Sequence, residues 1–403
     1  MPAFPPAIAT TLRRFPRSPV PIARQAPTAR PRAPHVAAVL GATAVLLAAC
    51  GGSNTVNPAV PAAETALAAG DIECVDGKIQ SAGSSAQANA ITEWVNVYQT
   101  ACPESTIDYQ PVGSGAGVEA FVSAQTSFGG TDKAVTDEDL AAARERCADN
   151  PAINIPLVGG AIAVAYHLEG VDELILDPAT LAGIFASEIT RWDDPAIVAL
   201  NPDAPLPDAA IAQFHRSDSS GTTANFSDYL EATAPESWDY DTGKEWTAPG
   251  GQGAKGSDQV IASVAQTPNS IGYVELSYIL DAINAKPVSI DQGAGPVLPT
   301  AENASVTLAS SSVSGDDGDI VLDIDYTTQV PGAYPISIVT YEIVCTTGLA
   351  DGQNPELVAQ FLAFAASDSG QNLLGEIGYV PLSGGLLDAV RGSVDRVIEG
   401  AGQ

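Results

Sequence analysis

The segment Arg216-Ser217-Asp218-Ser219-Ser220-Gly221-Thr222-Thr223 sets one arginine, an acid two positions on and a run of hydroxyls and glycine at the mouth of a helical pattern. Phe226, Tyr229 and Leu230 supply that pattern's apolar spacing. The first N–H groups of a helix have no intrahelical partner and carry the positive end of the macrodipole. Small hydroxyl and glycine residues let a tetrahedral anion approach those donors, and an arginine beside them adds a planar, permanently charged fork. The segment therefore predicts an oxyanion site. The plainer alternative is a surface ion pair between Arg216 and Asp218 at a helix start.

The rest of the composition sharpens this choice. Lys and Arg number 17 against 48 Asp and Glu, for a formal charge of −31. Six of the basic residues, all arginine, precede Cys50, where no acid occurs. So acidic a chain repels nucleic acid and anionic membrane surfaces, which excludes both as expected partners. An anionic ligand would also be repelled at long range. A preorganised local cluster of donors can overcome this, because physiological salt confines the adverse field to roughly 8 Å.

Two more turns share the chemistry of the first: Gly83-Ser84-Ser85 and Gly113-Ser114-Gly115, each between a strand-like run and a helical pattern. Taken singly, such turns serve as helix caps. Converging on one cleft, all three would surround an oxyanion with N–H and hydroxyl donors, and open α/β sheets place ligands at these strand ends. Asp132, at the end of Ser127-Phe128-Gly129-Gly130-Thr131-Asp132, is the sharpest clue. An ionised carboxylate only accepts hydrogen bonds, so it repels unprotonated sulfate but accepts a hydrogen bond from phosphate, which keeps at least one proton. A turn-forming Asp that caps the next helix is the competing reading.

The amino terminus bears on location. Val36 to Ala49 is a short apolar run ending Leu47-Ala48-Ala49-Cys50-Gly51, with the proportions of a signal-peptide core and a lipobox-like end. Residues 1–49 are thus expected to be a lipoprotein signal peptide, with Cys50 lipidated and anchored to the outer face of the cell membrane. Residues 50–71, rich in Ala, Pro and Asn, read as a flexible tether. Cys74, Cys102, Cys147 and Cys345 form an even set that favours two disulfides in an exported chain, with three possible connectivities. Cys102 and Cys147 each end a helical pattern, whereas Cys74 and Cys345 each lie on a strand-like run. The pairing expected here is Cys102–Cys147 and Cys74–Cys345. No CxxC spacing or metal-ligand cluster appears, so no metal or cofactor is expected.

Strand-like and helical segments alternate through the body, which predicts an α/β architecture of two lobes. Strand-like runs span 72–79 and 106–112, and helices carry Ile91, Trp94, Val95 and Tyr98, then Val118, Phe121 and Val122. Thr136-Asp137-Glu138-Asp139 reads as a cap with first-turn acids. The long apolar runs 153–166 and 335–345 are candidates for two strands crossing between lobes. Lobe I then comprises 72–157 with 337–403, and 158–336 is an inserted lobe II. Residues 249–257 read as a loop, and 296–330 as irregular or β structure.

Six stretches carry a family likeness: Gly83-Ser84-Ser85, Gly113-Ser114-Gly115, Phe128-Gly129-Gly130-Thr131-Asp132, Thr190-Arg191-Trp192-Asp193-Asp194-Pro195, Arg216 to Thr223, and Ile271-Gly272-Tyr273-Val274-Glu275. Together, across about residues 75–385, the chain resembles the extracytoplasmic phosphate-binding protein of the high-affinity phosphate ABC transporter, the PstS family. The resemblance implies a two-lobed type II periplasmic-binding-protein fold, each lobe a mixed sheet flanked by helices. It implies phosphate contacts from Ser85, Ala86, Ser114, Asp132, Arg216, Ser220, Gly221 and Thr222, with Asp218 holding Arg216. It also implies a monomer that serves transmembrane permease subunits and their cytoplasmic ATPase. Two departures stand out: Ser85-Ala86 replaces a Thr-Phe pair common in the family, and Ser219 replaces a glycine.

Three other functions compete. A binding protein for another tetrahedral oxyanion, sulfate-like, would use similar turns. A secreted phosphatase could use Ser220 as nucleophile, but His215 is the only local base. A purely structural or adhesive surface protein would need none of these contacts.

Overall fold

The computed structural model describes residues 58–402, save 136, 316 and 350. The signal-peptide and lipidation expectations for residues 1–50 lie outside the described residues, as does Thr136 of the expected cap. The described residues open on helix α1 (Ala59–Ala69), followed by β1 (Gly77–Gly83), α2 (Ala88–Ala101), β2 (Ser105–Gln110), α3 (Ser114–Val122), β3 (Phe128–Thr131) and α4 (Asp137–Arg146). The long strand β4 (Ala152–His167) leads to β5 (Ile175–Leu176), α5 (Pro178–Phe185), α6 (Pro195–Leu200), β6 (Ala212–Arg216) and α7 (Gly221–Thr233). Next come β7 (Gln252–Ala254), α8 (Gly256–Gln266), β8 (Ser270–Glu275), α9 (Ser277–Leu280) and three short strands: β9 (Lys286–Pro287), β10 (Ser289–Asp291) and β11 (Pro296–Val297). Helix α10 (Ala301–Ala309) and the pair β12 (Ser312–Ser314) and β13 (Val321–Asp323) precede β14 (Ser337–Cys345). Helices α11 (Pro355–Ala366), α12 (Asp368–Asn372) and α13 (Gly384–Ala401) complete the chain.

The main sheet runs β2-β1-β3-β14-β4-β8-β6-β7. At one end β2, β1 and β3 are mutually parallel, and at the other β8, β6 and β7 are too. The antiparallel strands β14 and β4 join these triplets. Ala152 to Ala161 of β4, save Leu157 at a bulge, pair with β14, and Ile162 to His167 pair with β8. All of β4 but its last residue is buried, and all of β14 is, which explains their largely apolar sequence. The runs expected to cross the molecule do form this central pair.

Four expectations require correction. Residues 59–69 are helical rather than part of a tether: Ala59, Ala63 and Ala66 are buried, and α1 packs on α2. Small alanines allow that close approach and favour the helix strongly, so poverty in large side chains does not mark a tether here. Residues 252–254 are not loop but the edge strand β7, held to β6 by backbone pairing that needs little side-chain volume. Within 296–330, α10 starts at Thr300, whose hydroxyl accepts the Asn303 N–H at 3.1 Å.

The fourth concerns the disulfides, which are Cys74–Cys102 and Cys147–Cys345. Strand β1 starts only at Gly77, so Cys74 precedes it and lies beside the end of α2, 5.4 Å from Cys102 between Cα atoms. The antiparallel register sets Cys345 opposite Ala152, close to Cys147 just beyond α4. Both pairings follow from neighbours that local pattern does not reveal.

Candidate functional site

Each parallel triplet supplies two strand-to-helix turns, β1–α2 and β2–α3 from one and β6–α7 and β7–α8 from the other. All four leave the carboxyl ends of parallel strands, where first-turn N–H groups project. The turns contact one another in a closed circuit. Gly113 N–H donates to Gly83 O at 2.9 Å, and Gly115 N–H donates to Ser219 O at 3.0 Å. Gly256 N–H donates to Asp218 Oδ1 at 3.0 Å, and Ser257 N–H to Ser85 Oγ at 3.1 Å. The three turns read from sequence are thus brought together.

Arg216 ends β6 with its side chain buried. Its Nε donates to Asp218 Oδ1 at 2.7 Å, and a terminal guanidinium nitrogen reaches Oδ2 at 2.5 Å. Burial alone would raise the Asp218 carboxyl, but these two bonds, the charge of Arg216 and the Gly256 N–H hold it below its usual range. Buried ion pairing of this kind rules out the plain surface pair. Gly113 has φ 101°, and a Cβ there would come 2.5 Å from Asp218 Oδ2, so only glycine fits.

Asp132 follows β3 and is buried. Its Oδ2 accepts from Thr222 Oγ1 at 3.1 Å and Ser114 Oγ at 3.4 Å, and its Oδ1 from Thr340 Oγ1 at 3.0 Å. Asn225 on α7 donates to the Asp132 carbonyl at 2.7 Å. Burial pushes the Asp132 carboxyl above the usual range, opposed by hydroxyl bonds and by the Arg216 charge. Gly221 allows the close meeting of α7 with this acid: a Cβ there would lie 2.6 Å from both Asp132 Cβ and Ser114 Oγ.

Ser220 caps α7, its Oγ accepting the Thr223 N–H at 3.2 Å, and Thr222 lies in the buried first turn. In the first turn region, Ser85 Oγ is 3.1 Å from Ser257 Oγ, and the Ala86 N–H donates to Ser84 Oγ at 3.0 Å. Ser84, Ser85, Ala86, Ser114, Ser220 and Thr222 are all buried. His215 stacks on Trp246, with Nδ1 2.9 Å from Arg216 O, and burial lowers its pKa. No histidine hydrogen-bonds Ser220 among the described residues, so the phosphatase reading lacks its base.

Sequence reasoning missed Ser257, Gly256, Thr340 and Asn225. Gly256 and Ser257 carry the same capping signal as the other turns, but the low side-chain volume around them resembles a loop. Thr340 lies mid-strand and becomes a neighbour only through the pairing of β14 with β3.

A family model described as PBP superfamily domain matches residues 63–369. The chain is 42% identical over 348 residues to phosphate-binding protein PstS 3 of Mycobacterium tuberculosis, covering 85% of this chain and 93% of that protein. The Mycobacterium leprae PstS 3 is 40% identical over 346 residues, covering 85% and 92%. Two solved structures are similar in fold. A DING protein has TM-score 0.63 at 19% identity, and a phosphate-binding protein of Stenotrophomonas maltophilia has 0.60 at 16%. Each match covers 78% of this chain and 93% of the other. With mixed sheet and flanking helices on both sides of β4 and β14, the fold is the two-lobed type II periplasmic-binding-protein architecture. The chain belongs to the PstS family of phosphate-binding proteins, within the PBP superfamily.

Proposed function

We propose that the protein binds inorganic phosphate outside the membrane, in the cleft between its lobes, and delivers it to an ABC permease for import. The contacts assigned to phosphate are Ser85, Ala86, Ser114, Asp132, Arg216, Ser220, Gly221 and Thr222, with Asp218 supporting Arg216. The observation that carries this reading is Asp132, a buried acid set among helix-start donors and beside a buried arginine. An acceptor there makes sense for a ligand that brings its own proton. Relatives at 42% identity that are named phosphate-binding proteins support the same ligand and a transport role rather than catalysis.

The mechanism is closure of the lobes about the anion, with the closed form docking on the transmembrane permease subunits, which work with a cytoplasmic ATPase. Lobe I is assigned to 72–157 with 337–403, and lobe II to 158–336. Helix N–H groups, hydroxyls and the Arg216 fork bind the ligand without a metal or cofactor. Cys50 is assigned as the lipidated residue after signal removal, holding a monomeric body at the outer face of the membrane. Among the described residues no helix is long and apolar enough to cross a membrane.

Calorimetry with purified protein tests the ligand. Phosphate should bind at micromolar concentration or tighter, roughly −8 kcal/mol or better, while equimolar sulfate should not. Comparable affinity for sulfate would favour a general oxyanion binder instead. Mass spectrometry of the membrane-extracted protein tests the anchor by weighing the modified Cys50 peptide.

A further inference from the structure

Beneath the first turn lies a buried acid that the phosphate contacts do not use. Glu342 sits on β14 opposite Gly130 of β3 and is fully buried, yet neither carboxyl oxygen has a hydrogen-bond partner. Gln87, at the N-cap position of α2, is fully buried too, and its Oε1 also lacks a partner. A Cβ on Gly130 would run into Gln87 Nε2 and the Tyr109 hydroxyl, so the amide lies over that glycine, next to its strand partner Glu342. Two orphaned acceptors cannot satisfy each other. One proton on the acid would join them and remove the cost of both.

The orientation of Gln87 is fixed from its other side. Tyr109 donates its single hydroxyl proton to Ser84 O at 2.7 Å, so it must accept from Gln87 Nε2, at 3.0 Å. Ser84 in turn receives the Ala86 N–H and donates its own N–H to Gly130 O at 2.9 Å. A chain of contacts therefore runs from Glu342 through Gln87 and Tyr109 to the turn carrying Ser85 and Ala86.

We propose that Glu342 is a positioning residue for phosphate binding, held as a neutral acid whose O–H bonds Gln87 Oε1 and so fixes the Ser85–Ala86 turn. The proposal rests on the phosphate reading of the site. Polar groups facing Glu342 are Gln87 at the N-cap position of α2, Tyr109 on β2 and Asp132 after β3, and none is basic. Burial pushes the Glu342 carboxyl up to about 8; the nearby Gln87 amide opposes it, and the Asp132 charge adds a smaller upward push. Ionisation would set a second negative charge beside Asp132 and withdraw the donor from Gln87.

The test compares phosphate affinity across pH for the wild type, Glu342→Gln and Glu342→Leu. Comparison at each pH cancels the titration of phosphate itself. Glutamine offers an N–H in place of the O–H, so E342Q should bind within about twofold of wild type at pH 7. Wild-type affinity should fall about tenfold relative to E342Q as the pH rises past the Glu342 value. E342L, which leaves Gln87 Oε1 unpaired, should bind about tenfold more weakly at pH 7, with no such pH dependence relative to E342Q. The infrared carbonyl band of neutral carboxylic acids should shrink in E342Q. An unchanged band, or wild-type and E342Q affinities that track together at alkaline pH, overturns the proposal alone. Failure of the wild type to bind phosphate at any pH overturns the phosphate reading, and the positioning role with it.

Discussion

Thr222 Oγ1 donates to Asp132 Oδ2 at 3.1 Å, joining the first turn of α7 to the end of β3 across 90 residues of sequence. With Ser114 and Thr340 also donating, three hydroxyls occupy the acid's acceptor sites and leave room for one more partner, which must bring a proton. Asp132→Asn replaces one acceptor oxygen with a donor. Sulfate affinity should rise at least about tenfold and phosphate affinity should fall about as much. Calorimetry with both anions measures the ratio, and unchanged sulfate affinity would remove the selective role given to Asp132.

The forked pairing of Arg216 with Asp218 depends on planar geometry as well as charge. Arg216→Lys keeps a cation but loses the fork and leaves Asp218 partly unpaired. Phosphate affinity should drop about a hundredfold, and further in Arg216→Ala. If R216K binds like the wild type, charge alone suffices and the geometric account is wrong.

The disulfides close loops of different length, with sequence separations of 28 for Cys74–Cys102 and 198 for Cys147–Cys345. Chain entropy assigns them about 3.5 and 5 kcal/mol respectively. A paired Cys147→Ser, Cys345→Ser variant should therefore lose more stability in urea than a paired Cys74→Ser, Cys102→Ser variant. The reverse order would show that native packing, not loop closure, governs their effect.

Glu275 is buried, and burial raises its carboxyl to about 8 despite bonds from Ser277 and Tyr379. The native state then keeps a proton that the unfolded chain loses above about pH 4.5, so this group's effect is a stability that declines as pH rises toward 8. Glu275→Gln removes that decline. Relative to wild type, E275Q should be more stable at pH 8 than at pH 5 by an amount on the order of 3 kcal/mol. Urea titrations at both pH values measure this, and parallel curves would mean that the carboxyl ionises normally.

The site was legible where chemistry sits in short contiguous turns. Gly83-Ser84-Ser85, Gly113-Ser114-Gly115 and Ser220-Gly221-Thr222 announce themselves because capping, glycine and helix periodicity are local properties. Asp132 was legible through its chemical incongruity beside those donors. Thr340 and Glu342 were not, because a residue inside an apolar strand acquires neighbours only from register, and β14 draws its partners from 176 and more residues earlier. Cysteine pairing failed for the same reason. Helix α1 failed for another: its alanines bury little area each, so composition understated their fit against α2.

The division of β4 between β14 and β8 has a mechanical consequence. One continuous strand is stitched by backbone hydrogen bonds first to β14 and then to β8, with no break at the changeover between Ala161 and Ile162. Such a strand can bend or twist like a leaf spring, but sliding would mean breaking a whole ladder of bonds at once. Under the proposed closure, repeated cycles of opening would therefore return the opposing turns to the same alignment and let a snug shell of fixed dipoles be reassembled without searching.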